Sequence, residues 1–334
     1  DQELAAIAGY CHDMGNFLNV NQTDIRSYKG QNKLISFFGR IVYNFDSRYY
    51  ITATLRRDGS TRFGKNNEWG LFPSTSIAWN IKRDFLNNVS FVSDLKLRVG
   101  YGLAGNQEIG NYNDLLYYYV KDEPGTDPET GQVNIAYDVA HNANPNLKWE
   151  ENREINVALD YGFIKNRFVG SIEFYDKVTY NMLGQYSVPV PPNISDKIYA
   201  NIGSFRNTGV EFNIQAFIID NKNFQWKTMY NFSTYKLSVV NLSNEEYAWT
   251  EMHLSNAEGQ GMVGENNWTQ ILSDKYDLGT FLLPIYAGID TNGKFLFEGK
   301  KTGSTTPEFL LAKRKIAGSA LPKFTMGWSN YFTF

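Results

Sequence analysis

Cysteine is almost absent: Cys11 is the one thiol in 334 residues. A lone cysteine excludes an intramolecular disulfide and is too few for a cysteine-based zinc site. Histidine is scarce too, with His12, His141 and His253 far apart along the chain. Cys11 and His12 adjoin, but neighbours on a strand point to opposite faces, so they make a poor metal pair. No apolar run reaches the ~18 residues of a transmembrane helix. With 32 basic and 35 acidic residues the formal charge is −3, and the basic footprint of a nucleic-acid binder is missing. The P-loop, GxGxxG, HExxH and GxSxG patterns are all lacking, so no enzymatic chemistry and no cofactor are expected. No signal peptide precedes Asp1; the chain reads as processed or as a piece of something longer.

What is abundant points one way. There are 23 Phe, 22 Tyr and 7 Trp, together 16% of the chain, beside 35 Asn and 28 Gly. Aromatics favour strands, while Asn and Gly favour turns. The mean hydropathy of −0.41 would suit a water-soluble chain. A membrane-spanning barrel, however, alternates apolar and polar residues and also averages to polar.

The alternation is sustained. In 152–162, Ile155, Val157, Leu159 and Tyr161 oppose Glu154, Asn156, Ala158 and Asp160. In 167–177, Phe168, Gly170, Ile172 and Phe174 oppose Arg167, Ser171 and Glu173, with Val169 and Tyr175 as exceptions. The same period of two marks 35–45, 49–57, 209–219 and 225–233. Connections also sort by length. Tight turns are expected at FDSR (Phe45–Arg48), IKNR (Ile164–Arg167) and DNKN (Asp220–Asn223), and long polar segments at about 12–31, 104–149, 179–203 and 239–280. Counting strand direction from the first turn puts every tight turn on one side and the long segments on the other. Short periplasmic turns and long extracellular loops are the pattern of an outer-membrane barrel. The segments approach or exceed the ~9–11 residues of a tilted spanning strand. By parity Asn156, Glu173, Glu211, Asn213 and Gln215 face the lumen.

Candidate chemistry is sparse. Glu150 and Glu154 share a strand face about 13 Å apart, beyond the separation of glycosidase carboxylates. Asp122, Glu123, Asp127 and Glu129 in Lys121–Gly131 read first as a solvated acidic loop and second as a calcium loop. Asp290–Gly293 reads as a hairpin turn. The glycine-rich Gly100–Tyr112 lacks the Lys and Ser/Thr of a phosphate cradle.

Five stretches in one order carry a family resemblance. LRRDGSTRFGKNNEWGLFPSTSIAWNI (Leu55–Ile81), DLKLRVGYGLAGNQEIGNY (Asp94–Tyr112) and NPNLKWEENREINVALDYGFIKNRFVGSIEFYDKVT (Asn144–Thr179) closely resemble the barrel of SusC/RagA-type TonB-dependent outer-membrane transporters. NIGSFRNTGVEF (Asn201–Phe212) and AGSALPKFTMGWSNYF (Ala317–Phe332) follow in the same order. The resemblance implies an all-β fold, an antiparallel transmembrane barrel of which about 10–12 of 22 strands are present. Residues 1–334 would then be part of one barrel domain, without its plug, TonB box and last strands. It also implies TonB-coupled import of oligosaccharides or peptides across the outer membrane of a Gram-negative bacterium. A SusD-like surface lipoprotein, the TonB complex and outer-membrane lipid are the implied partners.

Cargo contact would fall to loop aromatics: Tyr117, Tyr118, Tyr119, Tyr186, Trp249 and Trp268. Each has a competing reading as packing within a folded loop. Two rival functions remain: a secreted β-rich carbohydrate-binding module or hydrolase, and a barrel that signals or scaffolds.

Overall fold

A computed structural model describes residues 2–8, 25–120, 125–126, 130, 133–134, 137–243, 251–256 and 267–334. The acidic residues Asp122, Glu123, Asp127 and Glu129, together with Cys11, His12 and Trp249, lie outside the described residues. Nine strands form one continuous antiparallel sheet, here called the wall. They are β1 (Leu34–Phe45), β2 (Tyr49–Ser60), β3 (Trp69–Asn80), β4 (Val92–Asn106) and β5 (Glu150–Phe163). Then follow β6 (Phe168–Tyr180), β7 (Ser204–Asp220), β8 (Gln225–Asn241) and β9 (Thr325–Thr333). Each pairs with its neighbours in chain order, a pure meander. The sequence suggested 10–12 strands; nine make the wall, and the other described strands lie in six smaller sheets.

Connections alternate as the parity count required. Those at 46–48, 81–91, 164–167 and 221–224 lie along one edge; those at 61–68 and 181–203, and both ends of the longer ones after Asn106 and Asn241, lie along the other. The tight turns use left-handed backbone. Asp46 and Ser47 have φ of 50° and 51°, the pair of positive values that a type I′ hairpin needs. Asn44 Oδ1 accepts from the Ser47 amide at 3.0 Å. In 221–224, Asn221 Oδ1 accepts from the amides of Asn223 and Phe224 at 3.1 and 2.9 Å. The 81–91 connection carries the short helix α1 (Ile81–Phe85), whose start is capped by Asn80.

One register row crosses all nine strands: Phe45, Tyr49, Trp79, Leu97, Leu159, Ile172, Phe212, Phe232, Met326. The adjoining row reads Asn44, Tyr50, Ala78, Arg98, Ala158, Glu173, Glu211, Ser233, Thr325. Because successive residues face opposite ways, the first row is an apolar face and the second a polar one. On the apolar face, Tyr43, Ile51, Ile77, Val99, Val157, Phe174 and Val210 are 37–54% exposed. So large a bare apolar surface marks contact with something other than water.

The turns also report strand slope. The first tight turn closes the row of Phe45; at the next, β5 continues four residues past Leu159 to Phe163. Four residues of rise over four strand spacings correspond to a slope of roughly 35°. That falls in the tilt range of closed transmembrane barrels.

Burial lies elsewhere. Among the described residues the buried apolar clusters sit toward the long-loop edge. Phe63, Phe72, Leu147 and Trp149 form one; Tyr186, Val188, Ile198, Ala200 and Ile202 a second; Val239, Leu242 and Leu272 a third. The first depends on two glycines. A Cβ on Gly70 or Gly105 would lie 2.3 or 2.1 Å from Phe72 Cζ, so only glycine leaves the slot that the ring fills. Pro73 follows, and the pairing of β3 with β4 covers only Ser74–Asn80, which suits a residue with no N–H to donate.

Candidate functional site

The polar face of the wall gathers side chains from β4 to β7. Arg98 on β4 forks onto Asp160 of β5, with Nε and Nη2 donating at 2.8 and 3.0 Å. Its guanidinium also lies 3.8 Å from Glu173 of β6. Asn156 Nδ2 donates to Glu173 Oε1, and Asn213 Nδ2 to Ser171 Oγ at 2.5 Å. Glu211 stands directly across from Glu173 in the ladder. Asn156, Glu173, Glu211, Asn213 and Gln215 therefore share one face, opposite Val157, Phe174 and Val210.

Sequence reasoning named those five as lumen-facing and put Asp160 on the polar side of its strand, but missed Arg98. Its signal was present: Arg98 falls in the phase of Gly100 and Gly102, the face that lacks large apolar residues. Tyr175, an exception in the β6 alternation, is explained by its partner. It stands opposite Gly209, where a Cβ would meet its hydroxyl at 2.5 Å. Gly100 and Gly102, bare of side chains, floor a recess of about 420 Å³ between Ser74, Asn152, Glu154, Asn156 and Lys177. This surface offers hydrogen bonds and fixed charge, the requirements of a wetted lining.

Toward the long-loop edge, two connections are clamped together by one buried amide. Asn142 Nδ2 donates to the carbonyls of Ser195 and Lys197 at 2.7 and 2.8 Å. Its Oδ1 accepts from the amides of Ile194 and Ser195, both at 3.1 Å. Asn201 repeats the device, donating to Lys148 O and Asn181 O while its Oδ1 accepts from the Lys148 amide. Glu150, a residue weighed for glycosidase chemistry, accepts from Asn106 Nδ2 and the Leu183 amide, both at 3.1 Å. It works as a strut between loops. The Asp290 turn is a hairpin end, with Asp290 Oδ1 accepting from Asn292 and Lys294.

The loop aromatics divide. Tyr117–Val120 pairs with Tyr137–His141, and Tyr117, Tyr118 and Tyr119 are 41–55% exposed. Tyr117 stacks on His141 at 6.2 Å. Tyr186 is buried and donates its hydroxyl to Ile202 O at 2.7 Å. Burial first, then the Glu150 charge, push its phenol up to about 12, against the opposing effect of that backbone bond. Trp268 stacks on His253 at 3.7 Å, and the Arg314 guanidinium lies 4.0 Å from the same indole. Two groups this close to one ring cannot share a face, so both faces are covered. Tyr186 is thus buried and the Trp268 ring covered, while Tyr118 and Tyr119 are exposed and Tyr117 has one face on His141.

Along the opposite edge, Asp84 on α1 accepts from Tyr49 Oη at 2.6 Å, Trp79 Nε1 at 2.7 Å and Arg48 Nη1 at 3.1 Å. The Tyr49 and Trp79 bonds, helped by the Arg48 charge, hold its carboxyl below the ordinary range.

Comparison with known proteins adds to this geometry. The family model described as "TonB dependent receptor-like, beta-barrel" matches residues 5–331. The chain is 35% identical over 324 residues to TonB-dependent receptor P3 of Formosa agariphila, covering 91% of this chain and 31% of that one. It is 34% identical over 270 residues to the TonB-dependent receptor SusC of Bacteroides thetaiotaomicron, covering 80% and 26%. The RagAB peptide importer in its open-open state superposes with a TM-score of 0.76 at 28% identity, covering 93% of this chain and 32% of that one. Its closed-closed state gives 0.74, with 98% and 35% covered. The chain spans about a third or less of the length of these relatives.

Proposed function

The chain belongs to the TonB-dependent receptor β-barrel family and lies in the outer membrane of a Gram-negative bacterium, and from this we propose that it is part of the wall of a TonB-coupled importer. Its short-turn edge is then periplasmic and its long-loop edge extracellular. The carrying observation is the unbroken pair of register rows, one apolar and one polar, across nine strands. In such a wall the apolar row meets acyl chains, and Arg98, Asp160 and Glu173 line a wet interior. The cargo class is an oligosaccharide or peptide. A SusD-like lipoprotein is the partner at the extracellular edge, with Tyr117, Tyr118 and Tyr119 as candidate cargo contacts. The RagAB peptide importer and SusC, both similar to this chain, support the reading.

Sidedness is tested with the full-length protein in intact outer membranes. Cysteine placed at Ile155, Val157 or Leu159 is expected to resist a water-soluble maleimide, whereas cysteine at Asn156 reacts. Free reaction at the three apolar positions overturns the wall. Import is tested by deleting the full-length gene. Energy-dependent uptake of labelled oligosaccharide or peptide mixtures should fall to background, and undiminished uptake of both overturns the transport reading.

A further inference from the structure

We propose that the membrane face of β1–β4 binds a phosphate-bearing lipid of the outer leaflet, its acyl chain in a groove of the wall and its phosphate on Arg57. The proposal rests on the outer-membrane placement of the wall, not on import. The groove holds about 610 Å³ between Gly39 and Ile41 on β1, Ala53 and Leu55 on β2, Pro73 on β3 and Tyr101 on β4. All six share the phase of the apolar rows. Small side chains make the gap. A Cβ added at Gly39 meets nothing within 4 Å, so the space is open.

A second observation lies at the extracellular end of the groove. Arg57, two residues beyond Leu55 on the same face, rests its guanidinium 4.8 Å from the Trp69 ring centroid. The neighbouring Asp58 carboxylate is taken by Arg56 at 2.7 Å. On β5, past Tyr101, Arg153 lies 5.3 Å over Tyr180. Among the described residues neither Arg57 nor Arg153 has a carboxylate within ion-pair distance. Other cations on this face do: Arg206 is forked onto Asp176, and Lys236 lies 3.4 Å from Asp277. Arg57 stands eight residues above Tyr49, roughly 26 Å along a tilted strand and so about 20 Å in height. That is near the top of the ~25 Å apolar band of such barrels, where lipid headgroups begin. A guanidinium left without an anion at that height matches a phosphate, which it can bind through two parallel hydrogen bonds.

The test uses the full-length protein in dodecyl maltoside micelles, whose detergent carries no phosphate, with lipid A as the probe and dephosphorylated lipid A as its control. Wild type is expected to bind lipid A and to melt at a higher temperature with it than with the control. Arg57→Gln combined with Arg153→Gln should weaken lipid A binding by about ten-fold, the loss typical of a charged hydrogen-bonding partner. Gly39→Phe, which fills the groove, should weaken both lipids, while heat-modifiable migration on gels shows that each variant has assembled. Equal binding of the two lipids by wild type overturns the proposal without recourse to any variant. So does unaltered lipid A binding by the assembled variants. Neither result bears on import, which is read separately by uptake.

Discussion

Asn142 is buried, yet all its hydrogen-bonding capacity toward the neighbouring loop is used, two bonds given and two received. Removing it takes the partner from the Ser195 carbonyl and from the Ile194 and Ser195 amides, while Lys197 O keeps the Asn142 backbone amide at 2.8 Å; each group left unpaired where it is buried costs about 1–3 kcal/mol. Asn142→Ala is therefore expected to loosen 181–203 from 107–149 by about 3 kcal/mol while leaving the wall intact. Limited proteolysis would show earlier cleavage in 181–203 with unchanged heat-modifiable migration. Asp84 makes a prediction in pH. Its carboxyl is held below the ordinary value, so its folded-state pKa is depressed relative to the unfolded chain. The stabilisation is then complete above the unfolded pKa of about 3.9 and is lost as pH falls through the lower folded value. Hydrogen exchange in 80–92 should be constant above about pH 5 and quicken, relative to its intrinsic rate, below about pH 4. Asp84→Asn should abolish that dependence. The asparagine clamp was illegible in the sequence. Asn142 and Ser195 are 53 positions apart, and no local period links them. The covers of Tyr186 and Trp268 were illegible for the same reason: Ile202, His253 and Arg314 come from separate segments.

Among the elements, the wall strands were the legible part, because a period of two over ten or more residues is set by the pleat alone. β5 runs Glu150–Phe163, the range that alternation and parity gave. β8 was read too short. Alternation was recognised to Ser233 and the next long segment was set from about 239, but the strand continues to Asn241, since Thr234–Val240 is mostly strand formers, with Ser238 its one turn former. The tight turns were legible from their Asp, Asn and Ser content, though not their dihedral angles. Ser47 sits at φ 51°, where a Cβ costs roughly 1 kcal/mol. Ser47→Gly, which keeps the amide bond to Asn44, is expected to stabilise the β1–β2 hairpin by about 0.5–1 kcal/mol. A rise in the urea midpoint of the refolded full-length protein would verify it; a fall would show that the serine side chain makes a compensating contact.

At the scale of the whole molecule the sheet is open. β1 and β9 each pair on one side only among the described residues, and each exposes a run of unpaired backbone groups. In hydrocarbon every such group costs several kcal/mol, and a few exceed the 5–15 kcal/mol of a typical domain. Residues 1–334 refolded alone in lipid are therefore expected to give no heat-modifiable closed-barrel band. Such a band would mean that β1 and β9 find each other.

Slope also sets girth. At about 35–40° each strand takes up about 6 Å of circumference, so the nine cover an arc of about 55 Å. A ring completed at the twenty-two strands of outer-membrane transporters would measure about 43 Å across its backbone. An unobstructed hole of that bore would let small proteins leak from the periplasm, so a ring completed in this way would need a stopper inside it.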